Sequence, residues 1–356
     1  MPERPATNRR RRPASRRERP RPPRTRRFPG ISARAFQHPA DAAALLALKK
    51  VPGFDLALSK LFALVGDRAL RLGFLASSVR VSPHQFGFVW EEYERAADAL
   101  DVSPLPELFV AQTPFVNAGA MGLGKPFVVL NSGTLDLLEP KELRFLLAHE
   151  LGHVLSGHGL YKTMLRLLVR LSTAALAVPA GAPAVLALTL ALLEWDRKSE
   201  LSADRAGLLA LQDLDVALRV QMKLAGGGRT DEMSVTAFLE QAREYEEAGS
   251  VVDSLHKLLH LTGQTHPFPV LRLAELKAWA SSEEYERILS GDYPLRTEDR
   301  EATLGDDIRR TAAQYRDQLA ASRDPLLRWV RDALEGLRRR ARGRTPPAAR
   351  RPSRRP

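Results

Sequence analysis

The most constraining feature of the sequence is the motif His149-Glu150-Leu151-Gly152-His153, which continues the apolar run at 143–148. Residues four apart lie on one face of a helix, so both imidazoles can point at one ion with Glu150 beside them. Neutral imidazole is a good zinc ligand, and a zinc ion with three protein ligands keeps a fourth position for water. The motif therefore predicts a helix with two metal ligands and a base, and a second element that supplies a third ligand.

The composition limits what that third ligand can be. The chain has 356 residues and no cysteine, which excludes a disulfide scaffold, a cysteine-ligated metal site and a thiol nucleophile. Hydrophobic residues make up 44% of the chain and charged residues 27%, as in ordinary soluble globular proteins, so most of it can bury a core. Any metal must therefore be held by His, Asp or Glu side chains.

Other histidines are poor candidates for the third ligand. His158 follows the motif, but the extended pattern with a third histidine needs Gly at 156 and His at 159, where this chain has Ser156 and Gly159. His256 and His260 are also four apart, yet no Glu stands beside either one in the required position. A solvated helix face is the interpretation we favour for that pair.

Glu200 is the candidate that we favour. It lies on a predicted helix from 195 to about 211, and Asp204 follows on the same face. One carboxylate can bind the metal while the other accepts a hydrogen bond from a ligating histidine. The alternative for the two acids is an exposed pair matched by Arg197 and Arg205.

At this point the chain resembles a known family, the zinc metallopeptidases that include the heat-shock protease HtpX and the CAAX prenyl endopeptidases. Four elements in order carry the resemblance: the segment 128–138, the HExxH motif, an ExxxD pair and a late His-Pro element with an arginine six residues on. The resemblance covers about 105–276 and implies a zincin-like fold. It implies one Zn²⁺ per chain on His149, His153 and Glu200, Glu150 as general base, and Asp204 as the hydrogen-bond partner of a ligand. It also implies that His266 or Arg272 lies over the active site and stabilises the developing oxyanion.

The function predicted on this basis is that of a zinc-dependent metalloendopeptidase, in which a zinc-activated water attacks the peptide bond with Glu150 as general base. We expect an extended or unfolded polypeptide substrate, paired with the segment 127–130 as an edge strand. The alternative function is an anion-binding protein, for nucleic acid or acidic lipid, with a structural metal site.

That alternative depends on where the positive charge lies. Of the net charge of +12, residues 1–27 carry +10 and residues 338–356 carry +9, which leaves −7 for the interior. A basic surface that binds phosphates would carry its charge on the fold, whereas here the arginines lie in Pro-rich ends around a mildly acidic body. Those ends are either solvated extensions or binding segments for an anionic partner.

The predicted fold class is α+β and mostly helical, a zincin-like metallopeptidase domain with a small sheet beside the HExxH helix. Periodicity favours helices at 40–50, 54–75, 83–100 and from 140 onward, and strands at 107–111 and 127–130. We divide the chain into a disordered Arg/Pro-rich tail (1–27), a helical N-terminal part (28–104), the metallopeptidase domain (105–295), a helical C-terminal extension (296–337) and a disordered Arg-rich tail (338–356).

Within that domain, 171–193 is 23 residues long without a charge, enough to cross a bilayer. Ligands on both sides of it must meet on one ion, however, which excludes an odd number of crossings. Pro179, Gly181 and Pro183 indicate a turn, so we predict a helical hairpin at 161–194 buried against protein, with a hairpin that enters a membrane surface as the alternative. No apolar leader follows the N-terminal arginines, and the expected location is the cytoplasm or, alternatively, the cytoplasmic face of a membrane.

Overall fold

The computed structural model describes residues 25–49, 54–55, 58–59, 66–122, 124–175, 182–247 and 268–299. Several predictions fall outside these ranges: nearly all of both tails, the C-terminal extension from 300 onward, the turn of the apolar hairpin, and the histidines His256, His260 and His266. Residues 25–27, which we had assigned to the N-terminal tail, lie against the body, where the backbone N–H of Arg26 donates to Gln212.

The architecture is the α+β, mostly helical one that was predicted. In chain order the helices and strands are α1 (Pro39–Lys49), α2 (Asp67–Ser77), β1 (Val79–Arg80), α3 (Gly87–Ala99), β2 (Glu107–Ala111), β3 (Ala118–Met121), β4 (Phe127–Asn131), α4 (Ser132–Leu137), α5 (Pro140–Leu155), α6 (His158–Ala175), α7 (Ala182–Leu211), α8 (Leu214–Gly226), α9 (Val235–Glu247), α10 (Pro269–Ala280) and α11 (Glu283–Ser290). Helices α6 and α7 lie on either side of the predicted hairpin turn, and no helix in the described part of the chain combines the length and the apolar character that a membrane span requires.

The four strands form one mixed sheet in the order β1-β2-β4-β3. β2 and β4 are parallel, with Phe109 opposite Val129, while β1 and β3 run antiparallel to their neighbours. The prediction that 127–130 forms an edge strand is therefore wrong, because β4 lies between β2 and β3 in the sheet. Its unbroken apolar run is typical of a strand covered on both faces, and all four of its apolar residues are buried.

The helix α5, which carries the HExxH motif, has a well-defined beginning and end. Pro140 occupies its first turn, and the backbone N–H of Glu139 donates to the Glu142 carboxylate, 2.9 Å away, in a capping box. After Leu155 the chain turns at Gly157, whose φ of +68° is in the left-handed region that glycine tolerates, and α6 begins at the next residue.

Small residues bring α5 and α7 close together in the core. A Cβ atom on Gly152 would lie 2.6 Å from the Cβ of Ala206, and one on Gly207 would lie 2.8 Å from the ring of Phe145. The two backbones can approach this closely only because these glycines have no side chains. The contact places the face of α5 that carries His149 and His153 against the face of α7 that carries Glu200.

Candidate metal centre

Three buried side chains meet where α5 and α7 are in contact. Nε2 of His153 lies 3.2 Å from Oε1 of Glu200, and Nε2 of His149 lies 3.4 Å from Oε2 of the same carboxylate. One ligand atom of each residue lies within 4.8 Å of the others. In a tetrahedral site with bonds of about 2.0–2.1 Å, neighbouring ligand atoms are about 3.3–3.4 Å apart. Each imidazole therefore lies at about this distance from one oxygen of Glu200, and the three side chains are close enough to share an ion.

The carboxylate of Glu150 is held beside these ligands by the edge of the sheet. Its Oε2 atom accepts a hydrogen bond of 2.6 Å from the backbone N–H of Ala120 in β3. Its other oxygen, Oε1, lies 3.9 Å from Nε2 of His149 and accepts no hydrogen bond from the described residues. One oxygen is thus fixed, and the other remains available to a reactant on the metal side.

The outer nitrogen of His149 is held by what we call the His149 support: Asp204, Arg272 and Gln221. Oδ1 of Asp204 lies 2.9 Å from Nδ1 of His149, and both carboxylate oxygens of Asp204 accept hydrogen bonds from Arg272, at 2.6 and 2.7 Å. Gln221 donates a further hydrogen bond to Asp204, 3.0 Å in length. Nδ1 of His149 can therefore keep its proton against a carboxylate, which leaves Nε2 for a metal.

The outer nitrogen of His153 is held differently, by the His153 support: His158, Asp41, Trp195 and Ser202. Nδ1 of His153 lies 2.9 Å from Nδ1 of His158, and Nε2 of His158 lies 3.2 Å from Oδ2 of Asp41. Asp41 also accepts hydrogen bonds from the hydroxyl of Ser202 and the indole of Trp195, at 2.7 and 3.0 Å.

The two histidines of the motif also differ electrostatically. Burial alone would lower the pKa of His149, but hydrogen bonds with Asp204 and Glu200 raise that pKa to about 9. Burial and the nearby charge of Lys162 hold the pKa of His153 well below its usual value. His153 is therefore neutral, the form that binds metal, while His149 must give up a proton when a metal binds.

Lys162 is a further member of the site that the sequence analysis did not identify. Its ammonium donates to Oε1 of Glu200 at 2.6 Å and lies 2.7 Å from Asp196, while Nη1 of Arg272 lies 3.2 Å from Oε2 of Glu200. Burial would raise the pKa of Glu200, but the charges of Lys162 and Arg272 hold it well below the usual range. Glu200 is therefore ionised and held from both sides.

The buried charges do not balance without a further cation. Four carboxylates in or around the site are at most 1% exposed: Asp41, Glu150, Glu200 and Asp204. Two cations there are at most 5% exposed: Lys162 and Arg272. With His149 and His153 in the neutral form that binds metal, four against two leaves a net charge of −2, whereas in the metal-free protein the proton on His149 offsets one of these charges. Uncompensated buried charge is costly, so a dication fits the site both by charge and by ligand separation.

The sequence predicted part of this arrangement. The structure brings together His149, Glu150, His153, Glu200, Asp204 and Arg272, whereas His266 lies outside the described residues. The sequence analysis missed Lys162, Asp41 and the contact of His158 with His153. A signal was present for Lys162 and His158, because they lie four residues apart in α6, one helical turn beyond the motif. Asp41 precedes the motif by more than 100 residues, and no local pattern connects the two.

The helix that carries HExxH, the carboxylate ligand from a second helix and the small sheet alongside define a zincin-like metallopeptidase. Comparison of sequences agrees, because the sequence model of peptidase family M48 matches residues 83–280. The chain belongs to this family.

Two curated relatives are similar to it. The plastoglobule-localized metallopeptidase 48 of Arabidopsis thaliana chloroplasts is 37% identical over 268 residues, which cover 74% of this chain and 77% of that protein. A protease HtpX homolog of Listeria innocua serovar 6a is 29% identical over 116 residues, 32% of this chain and 34% of that protein. No solved structure matches the chain.

The Arabidopsis relative also corrects the expected location. Its name places that protein in chloroplasts, at plastoglobules. The prediction of a cytoplasmic location, in solution or at the cytoplasmic face of a membrane, is contradicted by this finding.

Proposed function

We propose that the protein is a zinc-dependent metalloendopeptidase, with one Zn²⁺ held by His149, His153 and Glu200. The observation that carries the proposal is the convergence of three buried side chains, each with a ligand atom within 4.8 Å of the others. Two imidazoles and one carboxylate are typical ligands of a catalytic zinc, whereas Mg²⁺ and Ca²⁺ prefer oxygen alone. When bound there, zinc supplies Lewis acidity toward water and the scissile carbonyl.

Glu150 is the general base in this proposal. Oε1 is the oxygen that would take a proton from the attacking water, because the hydrogen bond from Ala120 already engages Oε2. The same carboxyl group then passes the proton to the leaving amine, so Glu150 ends the cycle ionised. The backbone of β3 orients the base during both transfers.

The substrate-binding strand is β3 in our proposal, because it is the edge strand next to Glu150. In the described part of the sheet, β3 pairs only with β4. On its outer side the N–H groups of Ala120 and Gly122 already donate to Glu150 and Thr163, so a bound substrate would donate to the carbonyl groups of this edge. An extended polypeptide can add to such an edge through backbone hydrogen bonds, which select for unfolded segments with little regard to sequence. This supports cleavage within extended chains.

Arg272 acts on the ligands rather than on the oxyanion. Its Nε and Nη2 atoms donate to Asp204, and its Nη1 atom lies against Glu200, so the whole guanidinium is engaged by carboxylates. We propose that Arg272 positions Glu200 and Asp204. The oxyanion role implied by the family resemblance then falls to His266, as a prediction.

Zinc content and proteolysis test the proposal together. We expect about one zinc per wild-type chain, loss of zinc in Glu200→Ala, and retention in Glu91→Ala, which removes an exposed glutamate of α3 as a control. Glu150→Gln should keep its zinc and cleave an unfolded protein substrate about 10²–10⁴-fold more slowly, the usual contribution of a general base. Wild-type protein without zinc after reconstitution, or an undiminished rate in Glu150→Gln, would refute the proposal.

For the location, the Arabidopsis relative supports a plastid setting. Fractionation of plant cells that express the tagged full-length chain tests this, and recovery of the chain only outside the chloroplasts would exclude it.

A further inference from the structure

We propose that Asp41 and His158 fix the tautomer of His153. Through Asp41, α1 would then contribute to metal binding as well as to packing. This inference rests on the proposed zinc site. It concerns a carboxylate that lies outside the region matched by the family model, since Asp41 precedes residue 83.

The argument begins at Asp41, in the first turn of α1. The residue is fully buried, and its two oxygens accept hydrogen bonds from Trp195 and Ser202, both of which belong to α7. An ionised carboxylate only accepts hydrogen bonds. The third group near it, Nε2 of His158, lies 3.2 Å away without the alignment of a hydrogen bond. A lone pair this close to the carboxylate would be repelled, so we place the proton of His158 on Nε2.

The next step concerns His158 itself. A neutral imidazole with its proton on Nε2 has a bare lone pair on Nδ1. That atom lies 2.9 Å from Nδ1 of His153, a hydrogen-bond distance at which one of the two nitrogens must donate. His153 is then the donor, so its own proton lies on Nδ1 and its Nε2 atom has the lone pair that a metal needs.

The surroundings hold this chain of contacts in place. The ring of His158 lies edge-on to Trp195, with centroids 5.3 Å apart and planes at 86°, and His158 and Trp195 are both fully buried. Ser202 accepts from the backbone N–H of His38 at 2.9 Å, so its hydroxyl proton is free to point at Asp41. The contacts therefore run from α1 through α6 to α5, with hydrogen bonds at both ends and an ion-pair distance of 3.2 Å between His158 and Asp41.

A purely structural function for Asp41 would be to attach α1 to α7, and the isosteric variant distinguishes the two explanations. In Asp41→Asn, an amide NH₂ facing Ser202 and His158 would donate to Nε2 of His158. His158 would then hold its proton on Nδ1 and donate a hydrogen bond from that nitrogen to Nδ1 of His153. The proton of His153 would therefore lie on Nε2, the metal-binding nitrogen. Replacement of a carboxylate by an amide reverses tautomers in the same way in catalytic triads.

The experiment measures the zinc dissociation constant of the full-length chain by competition with a chelator. Asp41→Asn should bind zinc about 10–100-fold more weakly than wild type, the usual effect of losing an outer partner of a metal-ligating histidine. It should bind no more tightly than Asp41→Ala, although Asn fills the space better and its metal-free form should unfold at the same or a higher temperature. His84→Leu, which removes an exposed histidine, is the control and should bind as wild type does.

Two results would overturn the inference: wild-type affinity in Asp41→Asn, or clearly tighter binding by Asp41→Asn than by Asp41→Ala, as a purely structural function requires. If Asp41→Asn does not fold, His158 provides the test, because His158→Gln keeps an acceptor for His153 and should bind zinc about tenfold more tightly than His158→Leu. Equal affinities of those two variants would contradict the proposal. Wild-type protein that binds no zinc would instead refute the metal site on which the inference rests.

Discussion

His149 and His153 lie one turn apart on the same helix, yet the structure supports them in different ways. The His149 support places a carboxylate directly on the imidazole and a buried arginine behind it. The His153 support places a second imidazole between the ligand and the carboxylate, whose other partners are neutral. Hydrogen bonds with Asp204 and Glu200 raise the pKa of His149 to about 9, whereas burial and the charge of Lys162 hold the pKa of His153 well below its usual value.

This difference shows that outer partners can orient a ligand with or without charging it. Asp204 orients His149 and stabilises its charged form, so a metal ion that binds there must displace a proton from that residue. In the arrangement that we propose, Asp41 orients His153 through the ring of His158, which leaves the lone pair on the metal-binding nitrogen of His153. The predictions below test this comparison, from the largest expected effect on stability to the smallest.

The largest effect should come from removing the carboxylate of each support in the metal-free protein. Asp204→Ala deprives buried Arg272 of its bidentate partner and should lower the free energy of unfolding by about 3–5 kcal/mol, as breaking a buried ion pair does. Asp41→Ala leaves only neutral donors unsatisfied and should lower it by about 1–3 kcal/mol. Urea unfolding measures both, and equal losses would show that the two supports do not differ in charge.

A change at the point where α5 and α7 touch should affect both supports alike. Gly152→Ala places a Cβ 2.6 Å from that of Ala206, so the helices must separate, which should lower the free energy of unfolding by about 1–3 kcal/mol and weaken zinc binding. Gly73→Ala is the matched control, because α2 has open space at that position, and it should be neutral or stabilising by up to about 1 kcal/mol. Unchanged zinc affinity in Gly152→Ala would mean that the spacing of the helices does not set the ligand separations.

The smallest effect should come from the neutral donor in each support. Gln221→Met removes one hydrogen bond to Asp204, and Ser202→Ala removes one to Asp41. Each should lower the free energy of unfolding by about 1 kcal/mol, the net value of one hydrogen bond, and each should leave zinc bound at saturating metal. A loss several times larger in one variant would show that its support depends on that donor as strongly as on the carboxylate.

Local patterns predicted the parts of the fold with strong periodicity or composition. The strand 107–111 has the predicted bounds, and β4 extends one residue beyond its predicted range of 127–130. Runs of Phe, Val and Leu between turn residues favour strands. Strand β3 was missed, since Ala-Gly-Ala-Met has no β-branched or aromatic residue. It is a strand because the neighbouring β4 supplies hydrogen bonds along its whole length, and that partner cannot be identified from the segment alone. Missing β3 also led to the wrong position for the sheet edge.

The sequence by itself determined the chemistry of the inner site. A spacing of four residues brings His149 and His153 to one face of their helix, and it brings Glu200 and Asp204 to one face of a second helix, because helical geometry is local. Only the tertiary structure decided that these faces meet with ligand atoms 3.2–3.4 Å apart, that Lys162 and Arg272 hold Glu200, and that Asp41 reaches the site from α1. Those contacts join elements that are far apart in the chain, and they depend on the close packing of helices, which no single segment specifies.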